Sequence, residues 1–171
     1  MTPHRFVCAC ATARTVARTL TQLYDGVLRD AGIEAPQFAL LMALEAQGPT
    51  KQAAIGRLFA LDKTTLSRNL RWLERQGWIA AAPAADRRER QFAVTADGRR
   101  RLADAKVRWT RAQAMLRSEM GDADWRAMCR LFGRIIDAAD RAKRRSITRP
   151  AARGSDPRVT RGARAARSRA T

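Results

Sequence analysis

The chain has 171 residues, 34 Lys and Arg against 16 Asp and Glu, and a formal net charge of +18 with one histidine. That length holds one domain with a full core, or a small lobe with extra helices attached, and the charge points to a polyanionic partner, nucleic acid ahead of an acidic membrane surface. No apolar run approaches the roughly 20 residues of a membrane span, and the opening M-T-P-H-R-F-V-C-A-C lacks the apolar stretch of a secretory signal, so a cytoplasmic, nucleoid-associated protein without a membrane partner is expected.

Cys8 and Cys10 come first, followed by apolar positions Val16, Leu20, Leu23 and Val27 at steps of 4, 3 and 4. This predicts a long amphipathic helix over 11–31 that ends at Gly32. Pro36 suits the first turn of a second helix running to Gln47, and Phe38, Leu40, Leu41, Met42 and Leu44 make it apolar on nearly every side, hence buried. After Gly48-Pro49, Thr50 reads as the N-cap of a short helix to Phe59 with Ile55, Leu58 and Phe59 turned inward.

The connection A-L-D leads into K-T-T-L-S-R-N-L-R-W-L. Leu66, Leu70 and Leu73 fall at i, i+4 and i+7 and form one apolar stripe, while Lys63, Thr64, Thr65, Ser67, Arg68 and Arg71 take the other face. Asp62 stands where an N-cap is wanted. Hydroxyls and cations without a carboxylate before Glu74 suit phosphates and base edges, although an ordinary solvated helix could have the same composition. Two helices joined by so short a turn predict a helix-turn-helix whose second member enters DNA. Ala60 occupies a turn position where glycine is frequent, which fits only if the backbone avoids positive φ or bears strain.

Beyond Gly77, two strand-like pieces flank the charged loop D-R-R-E-R-Q from Asp86 to Gln91, predicting a hairpin wing with Arg87, Arg88 and Arg90 available to phosphates. Thr95 caps a helix to Met120 in which Leu102, Ala105, Trp109, Ala112 and Leu116 form a 3-4 seam. From Asp122, Trp125, Met128, Phe132, Ile135 and Ala139 repeat the pattern. Such seams exceed the needs of a small lobe. A homodimer would bury them with the first helix in a stem, whereas a monomer would pack the seams on each other. From Arg141 on, 11 Lys and Arg face Asp156 alone and apolar residues are nearly absent, predicting a disordered basic tail over 141–171.

Three cysteines and His4 supply neither a disulfide framework nor a metal-ligand set, so no metal or cofactor is expected. Nor do acid, base and nucleophile come together in any motif, which argues against an enzyme.

The order of these parts, with L-D-K-T-T-L-S-R-N-L at 61–70, D-R-R-E-R-Q-F-A-V-T-A-D-G at 86–98, and L-Y-D-G-V-L before P-Q-F-A-L-L, resembles the MarR family of bacterial transcription regulators. The resemblance covers residues 8–140. It implies a mainly α winged helix-turn-helix fold, with a DNA-binding lobe at 36–95 and dimerisation helices at 11–31 and 96–140. It also implies a homodimer on double-stranded DNA that commonly represses nearby genes. By resemblance, Lys63, Thr64, Thr65, Ser67 and Arg68 enter the major groove and touch flanking phosphates. Asp86 and Arg88 match the family's D-x-R wing element, the aspartate orienting an arginine near the minor groove. The family further implies an effector pocket between stem and lobe, for which Tyr24, Phe38 and Met42 are candidates, as they equally are for plain core. Some members sense oxidants through a cysteine at the start of the first helix, where Cys8 and Cys10 lie. The competing reading is a sequence-blind architectural protein that coats DNA through its tail.

Overall fold

A computed structural model of the chain describes residues 8–83 and 89–148. The chain divides into two units at Gly121 and Asp122. In the first, α1 (Ala9–Leu28) continues as a 3-10 turn at Arg29–Ala31 and stops at Gly32, whose φ of 62° is the left-handed conformation expected of a C-cap glycine. Asp25, one turn before the end of α1, reaches across the corner, and its carboxylate accepts a 2.7 Å hydrogen bond from the Ala35 amide. That amide is the first of α2 (Ala35–Gln47), so an acidic side chain sits at the positive end of a helix dipole. Glu34 and Gln37 complete the start of α2 as a capping box.

Leu40, Leu41 and Leu44 of α2 are fully buried with Ile55, Leu70, Leu73, Ile79 and Phe92 in one core. The helix that is apolar on nearly every side therefore lies at the centre of the lobe, as its pattern predicted.

Thr50 does not cap the next helix. Thr50–Lys51 is a short strand, β1, the Thr50 hydroxyl donates to the Gly48 carbonyl at 2.8 Å, and α3 runs Gln52–Leu58. The reason is a pairing partner far away in sequence: Thr50 and Lys51 lie opposite Phe92 and Gln91. Leu58 also departs from expectation, since it is 56% exposed while Ile55 is buried. A helix of two turns presents a narrow inner face, and Leu58 at its last position lies beyond the core.

Helix α4 (Lys63–Arg75) follows, then β2 (Ile79–Ala82) and β3 (Gln91–Val94), which pair antiparallel with Ile79 opposite Val94 and Ala82 opposite Gln91. The sheet order is β1-β3-β2, so the wing is a hairpin with a third strand borrowed from the start of the helix-turn-helix.

Helix α5 (Ala96–Met120) leaves the wing through Thr95, which accepts from the Gly98 amide at 3.0 Å and donates to the Gly77 carbonyl at 2.6 Å. A Cβ at Gly98 would stand 2.0 Å from the Trp78 carbonyl oxygen, so only glycine admits this close approach of α5 to the residue before β2. The helix then packs along α1 and α2. Leu102, Ala105 and Ala112 of its seam are buried, with Trp109 half-buried against the core.

The second unit is described through α6 (Asp122–Thr148). The helix passes the Arg141 boundary expected for a disordered tail. Residues 141–148 contain Ala, Lys and Arg, all good helix formers, and neither Gly nor Pro, while basic residues near a helix C-terminus meet its dipole favourably. The remainder of the predicted tail, 149–171, lies outside the described residues.

Candidate nucleic-acid interface

Helix α4 is built to hold one face inward and offer the other. Leu66, Leu70 and Leu73 are buried, each stabilising the arrangement by roughly 1.5–3 kcal/mol of apolar burial. Asp62 caps the helix, its carboxylate accepting from the amides of Thr64 and Thr65 at 2.9 Å each. A hydrogen bond from the Thr65 side chain, with the Thr65 and Thr64 amides, holds the Asp62 carboxyl below the usual aspartate range. Of the predicted contact residues, Lys63, Thr64, Arg68 and Arg71 are exposed, whereas Thr65 and Ser67 are half-buried. Thr65 is thus partly committed to the cap.

Two neighbours of this face were not singled out in the sequence. The Gln52 side-chain amide at the start of α3 donates to the Ser67 hydroxyl at 3.1 Å, and the Gln52 backbone amide donates to the Arg90 carbonyl at 2.9 Å. Lys51 pairs with Glu89 at 2.6 Å. Arg90, predicted as a phosphate contact, pairs with Glu74 of α4 at 3.4 Å and lies 5.0 Å over the Phe92 ring. These exposed ion pairs add little stability. Their consequence is geometric: the base of the wing is tied to both helices of the helix-turn-helix, and Glu74 and Glu89 each have a cation beside them. Asp86, Arg87 and Arg88 at the wing tip lie outside the described residues.

The turn between α3 and α4 carries strain. Ala60 has φ of 50°, the one non-glycine residue with positive φ among those described, so glycine's absence is met by a left-handed alanine. Leu61 still closes the turn by donating to the Gly56 carbonyl at 3.0 Å.

A cavity of about 320 Å³ opens between α1, α2 and α5 and is lined by Thr21, Tyr24, Leu28, Ala35, Pro36, Phe38, Ala39, Met42 and Trp109. Tyr24, Phe38 and Met42 thus share one wall space. Trp109 adds a ring 5.9 Å from Phe38, tilted by 39°, a contribution that its place in a seam concealed. Burial pushes the Tyr24 phenol up, so it stays protonated, and it donates to Gln113 at 3.1 Å. No Lys, Arg or His stands among the described lining residues.

At the far end of α1, Cys8 and Cys10 are exposed. The Cys8 thiol is lowered from its usual value by hydrogen bonds from the backbone at Ala11 and Cys10, the free amides of the helix start. Among those described, no three His, Cys, Asp or Glu side chains gather as a metal site, and no helix is long and apolar enough to cross a membrane.

Comparison with known proteins agrees with this architecture. Residues 31–89, from the end of the first corner to the wing, match the family model described as the MarR family. The crystal structure of the M. tuberculosis transcriptional regulator MosR in complex with DNA is similar at 32% identity and a TM-score of 0.71, over 79% of this chain and 98% of that one. The PcaV transcriptional regulator from Streptomyces coelicolor, crystallised with its natural ligand, shares the fold at 23% identity and a TM-score of 0.69, over 78% of this chain and 94% of its own. The HTH-type transcriptional regulator YwoH of Bacillus subtilis is 24% identical over 116 residues, which span 68% of this chain and 85% of YwoH.

Proposed function

Since the chain belongs to the MarR family of DNA-binding winged helix-turn-helix transcription regulators, which are not enzymes, we propose that it acts in the cytoplasm as a homodimeric repressor on a pseudo-palindromic operator. The observation that carries the reading is α4, whose apolar stripe is buried while Lys63, Thr64, Arg68 and Arg71 are presented outward together. In this reading two copies place their α4 helices in successive major grooves, with half-sites about 10 bp apart. Lys63, Thr64, Thr65, Ser67, Arg68 and Arg71 meet bases and phosphates. Arg88, oriented by Asp86, reaches the minor groove with Arg87 and Arg90 nearby. MosR, crystallised with DNA, supports this docking.

Two candidate signals act on the dimer. A small molecule in the Tyr24–Phe38–Met42 cavity would wedge α1 and α5 of the stem from α2 of the lobe, changing the spacing of the heads. Oxidation of Cys8 or Cys10 would act at the start of α1, and the lowered Cys8 thiol supports that chemistry.

Selection of bound DNA fragments followed by footprinting tests the core of the proposal. A defined site held against excess random DNA is the expected result; equal binding to all sequences with a steep salt slope would make the protein a DNA-coating one instead. A promoter reporter carrying that site should rise when the gene is deleted, and a fall would make the protein an activator. If Cys8→Ser/Cys10→Ser protein loses DNA binding to peroxide as readily as wild type, the redox signal is excluded.

A further inference from the structure

Gln52 lies in α3, outside the row of side chains that α4 offers to DNA, yet it touches both DNA-facing parts. Its backbone amide is bonded to the Arg90 carbonyl at the base of the wing, and its side-chain amide to the Ser67 hydroxyl of α4. At about 100° per residue, Ser67 stands roughly a quarter turn from the leucine stripe, on the flank of α4 beside α3 and the wing. A serine hydroxyl has one proton and two lone pairs. The Gln52 N–H occupies one lone pair at 3.1 Å, and a proton cannot be directed at a donor, so the Ser67 O–H must turn elsewhere. Thr12, Thr15 and Thr110, on α1 and α5, return their proton to the carbonyl one turn back. Among the described residues Ser67 has no such partner.

We propose that Gln52 is a specificity-determining positioning residue: it holds the Ser67 hydroxyl so that it faces DNA as a hydrogen-bond donor, and thereby selects a base that presents an acceptor in the major groove. The acceptors there are purine N7, guanine O6 and thymine O4, whereas the exocyclic amines of adenine and cytosine are donors. The inference rests on the docking of α4 proposed above. The main-chain bond from Gln52 to Arg90 survives any side-chain change, so substitution at this position removes the orienting contact without releasing the wing.

The experiment takes the selected operator and every single base-pair substitution within one half-site. Binding is measured by fluorescence anisotropy for wild type, Ser67→Ala, Gln52→Ala, the double variant and Gln52→Glu, with thermal melts as a check on folding. Ser67→Ala should flatten the preference at one base pair by about 5- to 10-fold, the scale of a single direct-readout contact. Gln52→Ala should flatten the same base pair to a similar extent, and the double variant should go no further. Gln52→Glu puts an acceptor where the amide donated, draws the Ser67 proton inward, and should shift the preference at that base pair towards adenine or cytosine amines. Gln52→Ala that weakens all sequences equally, or acts at a different base pair from Ser67→Ala, overturns the inference. Equal loss on every sequence in Ser67→Ala makes Ser67 a phosphate contact and also overturns it, while the docking stands. No effect of Ser67→Ala or of Arg68→Ala on any sequence removes the docking itself.

Discussion

In α4, Leu66, Leu70 and Leu73 recur at helical spacing and are 3%, 2% and 0% exposed; in α6, Leu131, Phe132, Ile135 and Ile136 share a face at equally good spacing and are 51%, 40%, 57% and 63% exposed. Both stripes would be scored alike by periodicity, because the pattern states only that a helix has an apolar side. What differs is the partner. The leucines of α4 face α2 and the sheet of their own lobe, so folding of one chain satisfies them. Four large exposed apolar residues on one helix are unusual for a monomer. In the homodimer proposed above, a second copy would cover them. The two helices thus separate what a single chain stabilises from what only an assembly would.

That contrast is open to direct attack. Leu73→Ala in the lobe should lower the unfolding free energy by about 2–5 kcal/mol, read from urea denaturation, because it opens a cavity in a fully buried site. Ile135→Glu combined with Ile136→Glu should leave the far-ultraviolet spectrum of the lobe intact but weaken self-association at least 30-fold by sedimentation equilibrium, equivalent to about 2 kcal/mol. Unchanged association would assign the α6 face to a different partner. On the outward side of α4, Arg68→Ala should weaken operator binding about tenfold, on the order of 1.4 kcal/mol, with no change in melting temperature. A destabilised protein would mean that this face also serves the core. The smallest effect concerns the turn that sets the angle of α4: Ala60→Gly should raise stability by about 0.5–1 kcal/mol, since glycine accepts the positive φ that alanine bears as strain. Loss of stability there would contradict the left-handed turn.

The cavity wall and the wing base show where local reading ends. Tyr24, Phe38 and Met42 were legible as apolar positions on two predicted helices that a family likeness brings together. By its spacing Trp109 is a member of a seam, and its place beside Phe38 depends on how α5 packs on α2, which no local pattern encodes. Thr50 carried a strong capping signal and became a strand, because the hydrogen bonds that Phe92 and Gln91 offered outweighed a local preference. Arg90 read as a free cation, yet a carboxylate sixteen residues away and an aromatic ring two residues away hold it.

By itself the sequence determined most of the helical segments, though not the extension of the last one past Arg141, where Gly32 and Asp62 start or stop them, which face of α4 is apolar, and the order of parts that identifies a winged helix-turn-helix. These are short-range properties, settled by spacing, capping and side-chain chemistry within a turn or two. Tertiary structure alone decided that β1 joins the wing, that Gly98 is needed where α5 passes the Trp78 carbonyl, that Asp25 caps a helix ten residues later, and that Gln52 reaches Ser67. Each of these depends on two segments meeting in space, and a side chain of Gln or Asp carries no mark in sequence of the partner it will find.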